Sequence, residues 1–395
     1  NTLAGFKGLQ TLYLSGKAIT SLNFSPLKNN PIYSLSVERA ACRSMDLSPL
    51  KTCKLKVLSL KDCGVNSLNF QPLATSPLHK LYVINCPLKK IDVSPLKNTL
   101  TELWLGTLQN TYFWEEINHK QTKPKYQLLD LSKMKKLKRV YACGVASLKT
   151  VKLKDTKTKQ GIRSLLELHL YGTGIRTLDA TAAKNLKRLF VGDRIRKLTV
   201  DKCKKLKEIG MINLGSKQAA TIKSSSVQHI QYQGKTLKNL SFSKCPKLYT
   251  LSIKCTKVGT VNLRSNKRLH YMTLNSKKTG KVVYPKVSTK GWHDCCDLVE
   301  TNYYKNLDEY KNDPDAKGVY KEYVGYTLEY PTKILDISAW TSLNKTVKRC
   351  MFGYGDFDHE KCATKKIIIN KKLRKADKKW IKKFAKKWHV KVVEK

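Results

Sequence analysis

Apolar residues along this chain recur in triplets spaced as LxxLxL, with Ile, Val or Met substituting for Leu. Triplets start at Leu9, Ile32, Leu55, Leu78 and Leu100, and again at Leu137, Leu165, Leu186, Leu206, Val227, Leu248 and Leu269. Most starts lie 20–23 residues after the one before. A fixed period of this length predicts stacked coils, each adding one layer to a shared core. Within a triplet the last four residues alternate inward and outward, as a short strand must. A second apolar pair follows about thirteen and fifteen residues after each start, for example Leu22 with Phe24, Leu178 with Ala180 and Val261 with Leu263. That pair turns the chain back across the far side, where neighbouring coils seal the core.

The unit boundaries carry their own signature: FSPLKNN, LSPLKTC, FQPLATS and VSPLKNT in the first part, then TLDATAAKNLKRLFV and NLSFSKCPKLYTLSI later. These segments resemble bacterial extracellular leucine-rich-repeat proteins of the internalin-like and gut-Firmicute surface type. The resemblance spans roughly residues 3–280. It implies a right-handed leucine-rich-repeat solenoid with short parallel strands on the concave face and an irregular or 3-10 convex side. It also implies a secreted or cell-surface protein used for adhesion or recognition, and it transfers no functional residue. The chain departs from the family in its lysine content and in lacking the usual ladder asparagine. Asn1 falls inside a repeat, which reads as the removal of any leader or anchor.

Two breaks interrupt the array. About fifteen residues are inserted near 107–125, carrying Tyr112, Phe113 and Trp114; they read as an aromatic plug or as a binding loop. A Tyr-rich segment at 281–333 is acidic against the trend of the chain. Residues 334–395 then read as degenerate repeats, ILDISAW and VKRCMF, and a basic C-terminal cap. The cap pattern is strand (Lys366–Ile369), helix (Leu373–Trp388) and strand (Val390–Val393), a β-α-β-like arrangement. Leu373, Ala376, Trp380, Ile381, Phe384 and Trp388 share one helical face. That face either covers the open end of the core or lies on an anionic surface.

The fifth residue of each triplet stands between two buried ones and points into the concavity. Down the chain this column reads Tyr13, Ser36, Ser59, Tyr82, Trp104, Tyr141, His169, Phe190, Gly210, Gln231, Ser252 and Thr273. Tyr82 to Phe190 form an unbroken ring-bearing run, about 20 Å long at strand spacing. The third position adds Lys80, Glu102, Arg139, Glu167 and Arg188, and the seventh adds Tyr171. An aromatic stripe edged by charge has the composition of a binding hot spot. Its rings suit sugars, and arginine beside them suits carboxylate or sulfate. The alternative is that the rings merely stack to stabilise the sheet.

Charge widens the range of partners. Lys and Arg total 77 against 29 Asp and Glu, a net +48. Such an excess favours anionic polymers, a wall polymer or glycosaminoglycan, although solubility alone explains it equally well. No nucleic-acid module is present, and no apolar run is long enough to span a membrane. Cys63 and Cys86 occupy one ladder position in successive units, as buried thiols or a disulfide. Disulfides among Cys295, Cys296, Cys350 and Cys362 are more plausible than a metal site formed with His293 and His359. No metal or cofactor is expected, and no HExxH, GxSxG, P-loop or strand-following GxGxxG supports an enzyme. The sequence therefore predicts a non-enzymatic recognition protein binding a protein or carbohydrate on its concave face, at Lys80, Tyr82, Trp104, Arg139, Tyr141, His169, Tyr171, Arg188 and Phe190. Its first rival is a basic wall protein holding anionic polymer by charge.

Overall fold

A computed structural model describes residues 5–107, 124–192, 194–214, 222–285, 325–328, 332–343, 348 and 364–395. They form a leucine-rich-repeat solenoid in two units, Asn1–Val227 and Gln228–Lys395.

In the first unit one ladder of parallel strands runs through β1 (Thr11–Ser15), β2 (Ser34–Glu38), β3 (Val57–Lys61), β4 (Lys80–Ile84) and β5 (Glu102–Gly106). After β6 (Leu128–Asp130) it continues through β7 (Arg139–Cys143). Then, with β8 (Thr150–Lys152), β10 (Thr177–Asp179) and β12 (Lys197–Thr199) lying outside the ladder, it passes to β9 (Glu167–Leu170), β11 (Arg188–Val191) and β13 (Glu208–Leu214). Register is constant, so like positions of successive triplets stack. Leu35, Leu58, Leu81, Leu103, Val140, Leu168, Leu189 and Ile209 make one fully buried column. Each such side chain contributes about 1.5–3 kcal/mol through the water it excludes.

The convex side divides in a way that the sequence explains. In the first coils it holds short 3-10 turns at Ser25–Leu27, Ser48–Thr52, Gln71–Leu73 and Ser94–Leu96. Each has proline in its first turn, where a fixed φ is tolerated and no N–H is missed. Later coils lack that proline and pair instead as β6 with β8 and β10 with β12, so the convex side is not uniformly irregular. Both kinds of turn open alike. Asp46 Oδ1 accepts the Ser48 N–H at 2.9 Å, as Asp92 does from Ser94 and Asp179 from Thr181. Short acids and amides favour such Asx turns because they satisfy the backbone two residues on.

Strands end where the chain turns through the left-handed region, at Arg39, Asp62 and Asn85 and then at Gly106, Gly144 and Gly172. A Cβ at Gly144 would collide with the Thr107 hydroxyl. The ladder cysteines are thiols. Cys63 Sγ donates to Val37 O and Lys61 O at 3.4 Å, and Cys86 Sγ donates to Ile84 O at 3.4 Å. Thr173 Oγ1 does the same work for Leu170 O at 2.7 Å. Cys42, Cys53, Cys63, Cys86, Cys143, Cys203 and Cys255 are free thiols, and all are buried, as is Cys245.

The second unit stacks three 13-residue strands, β14 (His229–Ser241), β15 (Thr250–Asn262) and β16 (Tyr271–Val283). β17 (Gly325–Leu328) and β18 (Thr332–Asp336) both pair with β16, followed by β19 (Lys366–Ile369) on β18. Helix α1 (Lys375–Trp388) then leads to β20 (Lys391–Glu394), which pairs parallel to β19. The expected strand–helix–strand arrangement is therefore present, but of the expected helical face Leu373 and Ile381 are buried, Trp380, Phe384 and Trp388 are half-buried and Ala376 is exposed.

Two buried acids lock this unit. Asp336 meets Arg264 at 3.0 Å, Lys281 at 3.4 Å and Ser338 Oγ at 2.7 Å. Asp377 meets Arg374 and Lys348, both at 2.7 Å, and accepts the Leu343 N–H at 3.0 Å. Burial opposes charge on both acids. These hydrogen bonds and cations outweigh it and hold both carboxyls below the usual aspartate range.

The inserts' Tyr112–Trp114 and Cys295, Cys296, Cys350, Cys362, His293 and His359 lie outside the described residues, as do most of 281–333 and VKRCMF. Among the described residues no helix is long and apolar enough to cross a membrane.

Because both aspartates have depressed folded-state pKa values, their stabilisation is complete above the ordinary value near 4 and lost as pH falls below it. Asp377→Ala should cost about 1–3 kcal/mol by orphaning the Leu343 amide and unpairing Arg374 and Lys348. Urea unfolding at neutral pH and near pH 3 checks both points, since the variant's deficit should shrink in acid.

Candidate functional site

The ladder turns the ring-bearing column into a physical stack. Tyr82 pairs with Trp104, Trp104 with Tyr141, Tyr141 with His169 and His169 with Phe190. Ring centroids lie 5.9, 3.8, 4.4 and 4.5 Å apart along that series, with interplanar angles of 33° or less. Parallel strands about 4.8 Å apart hold rings close to stacking distance, so each ring covers its neighbour.

Stacking changes what solvent sees. The sequence suggested an open aromatic stripe, yet His169 is 7% exposed and Phe190 8%. Tyr82, Trp104 and Tyr141 are half-buried. Tyr171 is buried beside Phe190 and Cys143, and burial pushes the Cys143 thiol up to about 12. Ring edges and polar heads remain outward, while most ring faces are used inside the stack.

Beside the rings runs a second column of alternating charge: Lys80, Glu102, Arg139, Glu167, Arg188 and Glu208. Arg139 reaches Glu102 at 3.6 Å and Glu167 at 3.8 Å. Arg188 reaches Glu167 and Glu208, both at 3.6 Å. The glutamates also hold the ring heads. Glu102 Oε1 accepts from Trp104 Nε1 at 2.7 Å and from Tyr82 OH at 3.4 Å, and Glu167 Oε2 accepts from Tyr141 OH at 3.2 Å. The two columns are thus one network.

Its electrostatics follow from that geometry. The His169 ring, with Nε2 3.9 Å away, lowers the Glu167 pKa; burial opposes it, and Arg188 and Tyr141 add to it. Burial first, and the Glu167 charge second, push the Tyr141 hydroxyl well above its usual range. Neither His169 ring nitrogen has a hydrogen-bond partner among the described residues, and both are buried. The outward cations are Arg139 and Arg188, with 48% and 55% of their side chains exposed, against 13% for Glu102 and 18% for Glu167.

The structure therefore stacks the predicted residues in adjacent columns, leaving Lys80, Tyr82, Trp104, Arg139, Tyr141 and Arg188 at the surface while His169, Phe190 and Tyr171 are buried. Sequence reading passed over Glu208 and Gly210. The sign alternation in the third position was a readable cue for Glu208. The Phe190 ring lies over Gly210, where a Cβ would run into its Cδ1 and Cε1 atoms. Glycine is what lets the last ring settle on backbone. Among the described residues no group of three or more His, Cys, Asp or Glu is placed to hold a metal.

No protein-family model matches the chain, and no curated protein matches it. Solved structures similar to it include a leucine-rich-repeat protein from Leptospira interrogans. That match has 15% identity and a TM-score of 0.47, covering 99% of this chain and 93% of the other. The functional domain of InlJ from Listeria monocytogenes, described as including a cysteine ladder, matches at 15% identity with a TM-score of 0.31, covering 73% and 70%. The leucine-rich-repeat domain of APL1B matches at 15% identity with a TM-score of 0.41, covering 73% and 83%.

Gly210→Ala should force the Phe190 ring off its seat and loosen the end of the stack, costing about 1–3 kcal/mol. Urea unfolding measures the loss, and near-ultraviolet circular dichroism should show the aromatic signal change while far-ultraviolet signal persists. An unchanged midpoint would mean that the ring repositions without strain.

Proposed function

We propose that this chain is a non-enzymatic recognition protein, secreted or held on a bacterial surface, that binds a macromolecular partner on the concave face of its first unit. The observation that carries this reading is the exposure of Arg139 and Arg188 directly beside the edges of Tyr82, Trp104 and Tyr141. Each guanidinium has five donors, and contacts of 3.6–3.8 Å to glutamate leave most of them available to a carboxylate, sulfate or carbonyl. Fixed by stacking beneath, the ring edges lose little rotamer freedom when a partner lands on them. Lys80, Tyr82, Trp104, Arg139, Tyr141 and Arg188 would make the contacts. His169, Phe190 and Tyr171 would hold them in place.

Catalysis finds no support at this surface. His169 is the column's one imidazole, and both its nitrogens are buried away from any substrate.

A second reading rests on the lysines at the strand-entry edge. Lys138, Lys187 and Lys207 share one column, one residue before β7, β11 and β13, and all are exposed. A linear polyanion, such as a wall polymer or glycosaminoglycan, could track that edge by charge alone.

The two readings part in salt. An array of purified proteins and glycans, heparin included, would be probed at low and high ionic strength with wild type and an Arg139→Gln, Arg188→Gln chain. Concave-face binding should survive salt and fall about tenfold or more in the variant. Binding that vanishes in salt and ignores the substitutions would instead favour the lysine edge.

A further inference from the structure

The ring stack and the charge column both begin at β4, and their two ends are unlike. At β11 both are closed. The Phe190 ring rests on Gly210, and Arg188 is ion-paired to Glu208 at 3.6 Å. At β4 both are open. The Tyr82 ring stacks on Trp104 on one side, while its column neighbour on the other side is Ser59, which carries no ring. Lys80 is half-exposed, and among the described residues it has no carboxylate within ion-pairing distance, because Glu102 is committed to Trp104, Tyr82 and Arg139. A flat ring face and an unneutralised ammonium therefore stand two residues apart on one strand.

The sheet beside them has room. Ser34, Ser36, Val57 and Ser59 are concave-facing residues of β2 and β3, small and half-exposed, with Glu38 and Lys61 next along the same face. Glu38, on the same face of β2, is ion-paired with Lys61 at 3.5 Å and accepts a hydrogen bond from the Tyr13 hydroxyl at 2.6 Å. Its charge is opposed by Lys61, so it repels an incoming carboxylate less than a lone glutamate would.

From this the geometry points to a specific partner chemistry: an extended protein segment carrying an acidic and an aromatic side chain two residues apart, seated over β3. Its carboxylate would lie over Val57 against Lys80, and its ring over Ser59 against Tyr82, following the register Val57–Lys80 and Ser59–Tyr82. Residues two apart on an extended chain share a face, so one segment presents both groups at once. The chain writes the same code in its own rungs, as Glu102–Leu103–Trp104 in β5 and Glu167–Leu168–His169 in β9. The partner supplies the rung that β3 lacks. This inference rests on the concave face of the first unit being a protein-binding surface.

The test uses the full chain and a defined probe, acetyl-Thr-Glu-Thr-Tyr-Thr-amide, titrated by NMR into the millimolar range. Comparison peptides replace Glu by Lys, replace Tyr by Ala, or set Glu and Tyr adjacent. The parent should bind about three- to tenfold tighter than the Ala peptide, the range expected for one aromatic pair, and tighter than the other two. Ser59→Trp should abolish binding by filling the site, and Ser59→Ala should keep it. Lys80→Glu supplies a readout free of overpacking, because it should reverse the preference toward the Lys-containing peptide. Equal binding of all peptides, no binding, or an unaltered preference in Lys80→Glu would overturn the inference. So would binding of neutral cellohexaose in place of the peptide, which would assign the gap to a sugar. The Arg139→Gln, Arg188→Gln chain tests the proposed function on the array of proteins and glycans, apart from the peptide titration. If that arginine pair governs partner binding while the peptide fails, this inference falls and the proposed function stands. The converse result separates them the other way.

Discussion

Everything on the concave face follows from one constraint: each strand must pass its backbone N–H and C=O groups to the strand of the next coil. Buried backbone groups cannot be left unpaired, so the register cannot slip without turning every leucine out of the core. Extra chain is therefore expelled to the turns. The starts at Leu100 and Leu137 are separated by an insertion, yet Glu102 still faces Arg139 and Trp104 still faces Tyr141. A pair remote in sequence becomes one rung because the ladder does not accommodate the insertion.

Fixed register turns a residue preference into a column. Like charges repeated at strand spacing would repel, and the third-position column alternates in sign from Lys80 to Glu208. Rings suffer no such penalty and stack without interruption. Each ring pair is worth about 0.5–1.5 kcal/mol beyond its burial, whereas an exposed ion pair is worth about 0–1 kcal/mol. The stack therefore does more than the charge column to hold the surface together. Glu102 and Glu167 join the two by taking the heads of Tyr82, Trp104 and Tyr141 while balancing Arg139 and Arg188.

Periodicity made the leucine columns, the aromatic run from Tyr82 to Phe190 and the Cys63–Cys86 ladder legible, because each depends only on which positions face inward. What periodicity does not carry is how far a side chain leans once its neighbours exist. His169 and Phe190 point out of the core as expected and are buried all the same, roofed by Tyr141, Tyr171 and each other. Gly210 looked like a blank in the column, yet it supplies the floor for a ring. The 13-residue strands of the second unit were also hidden. The first unit splits concave and convex strands, while β14, β15 and β16 run both together, with pairing that skips Thr256 and Gly259. Nothing in an LxxLxL count distinguishes a strand that stops from one that bends.

Charge in this protein is balanced where it is buried and left unbalanced where it is wet. With 77 basic and 29 acidic residues, most lysines have no acid to meet. At physiological salt the screening length is about 8 Å, so lysines spread over a surface repel only weakly. Burial removes that protection, and the buried acids among the described residues, Asp336 and Asp377, each serve two bases, as half-buried Glu167 does. Glu167 lies between Arg139 and Arg188, Asp336 between Arg264 and Lys281, and Asp377 between Arg374 and Lys348. Such an arrangement keeps the fold insensitive to the surface excess, so the lysines can vary without disturbing the core. The same logic gives Lys80 its meaning: it belongs by register to a balanced column, and it alone stands at that column's end without an acid beyond it.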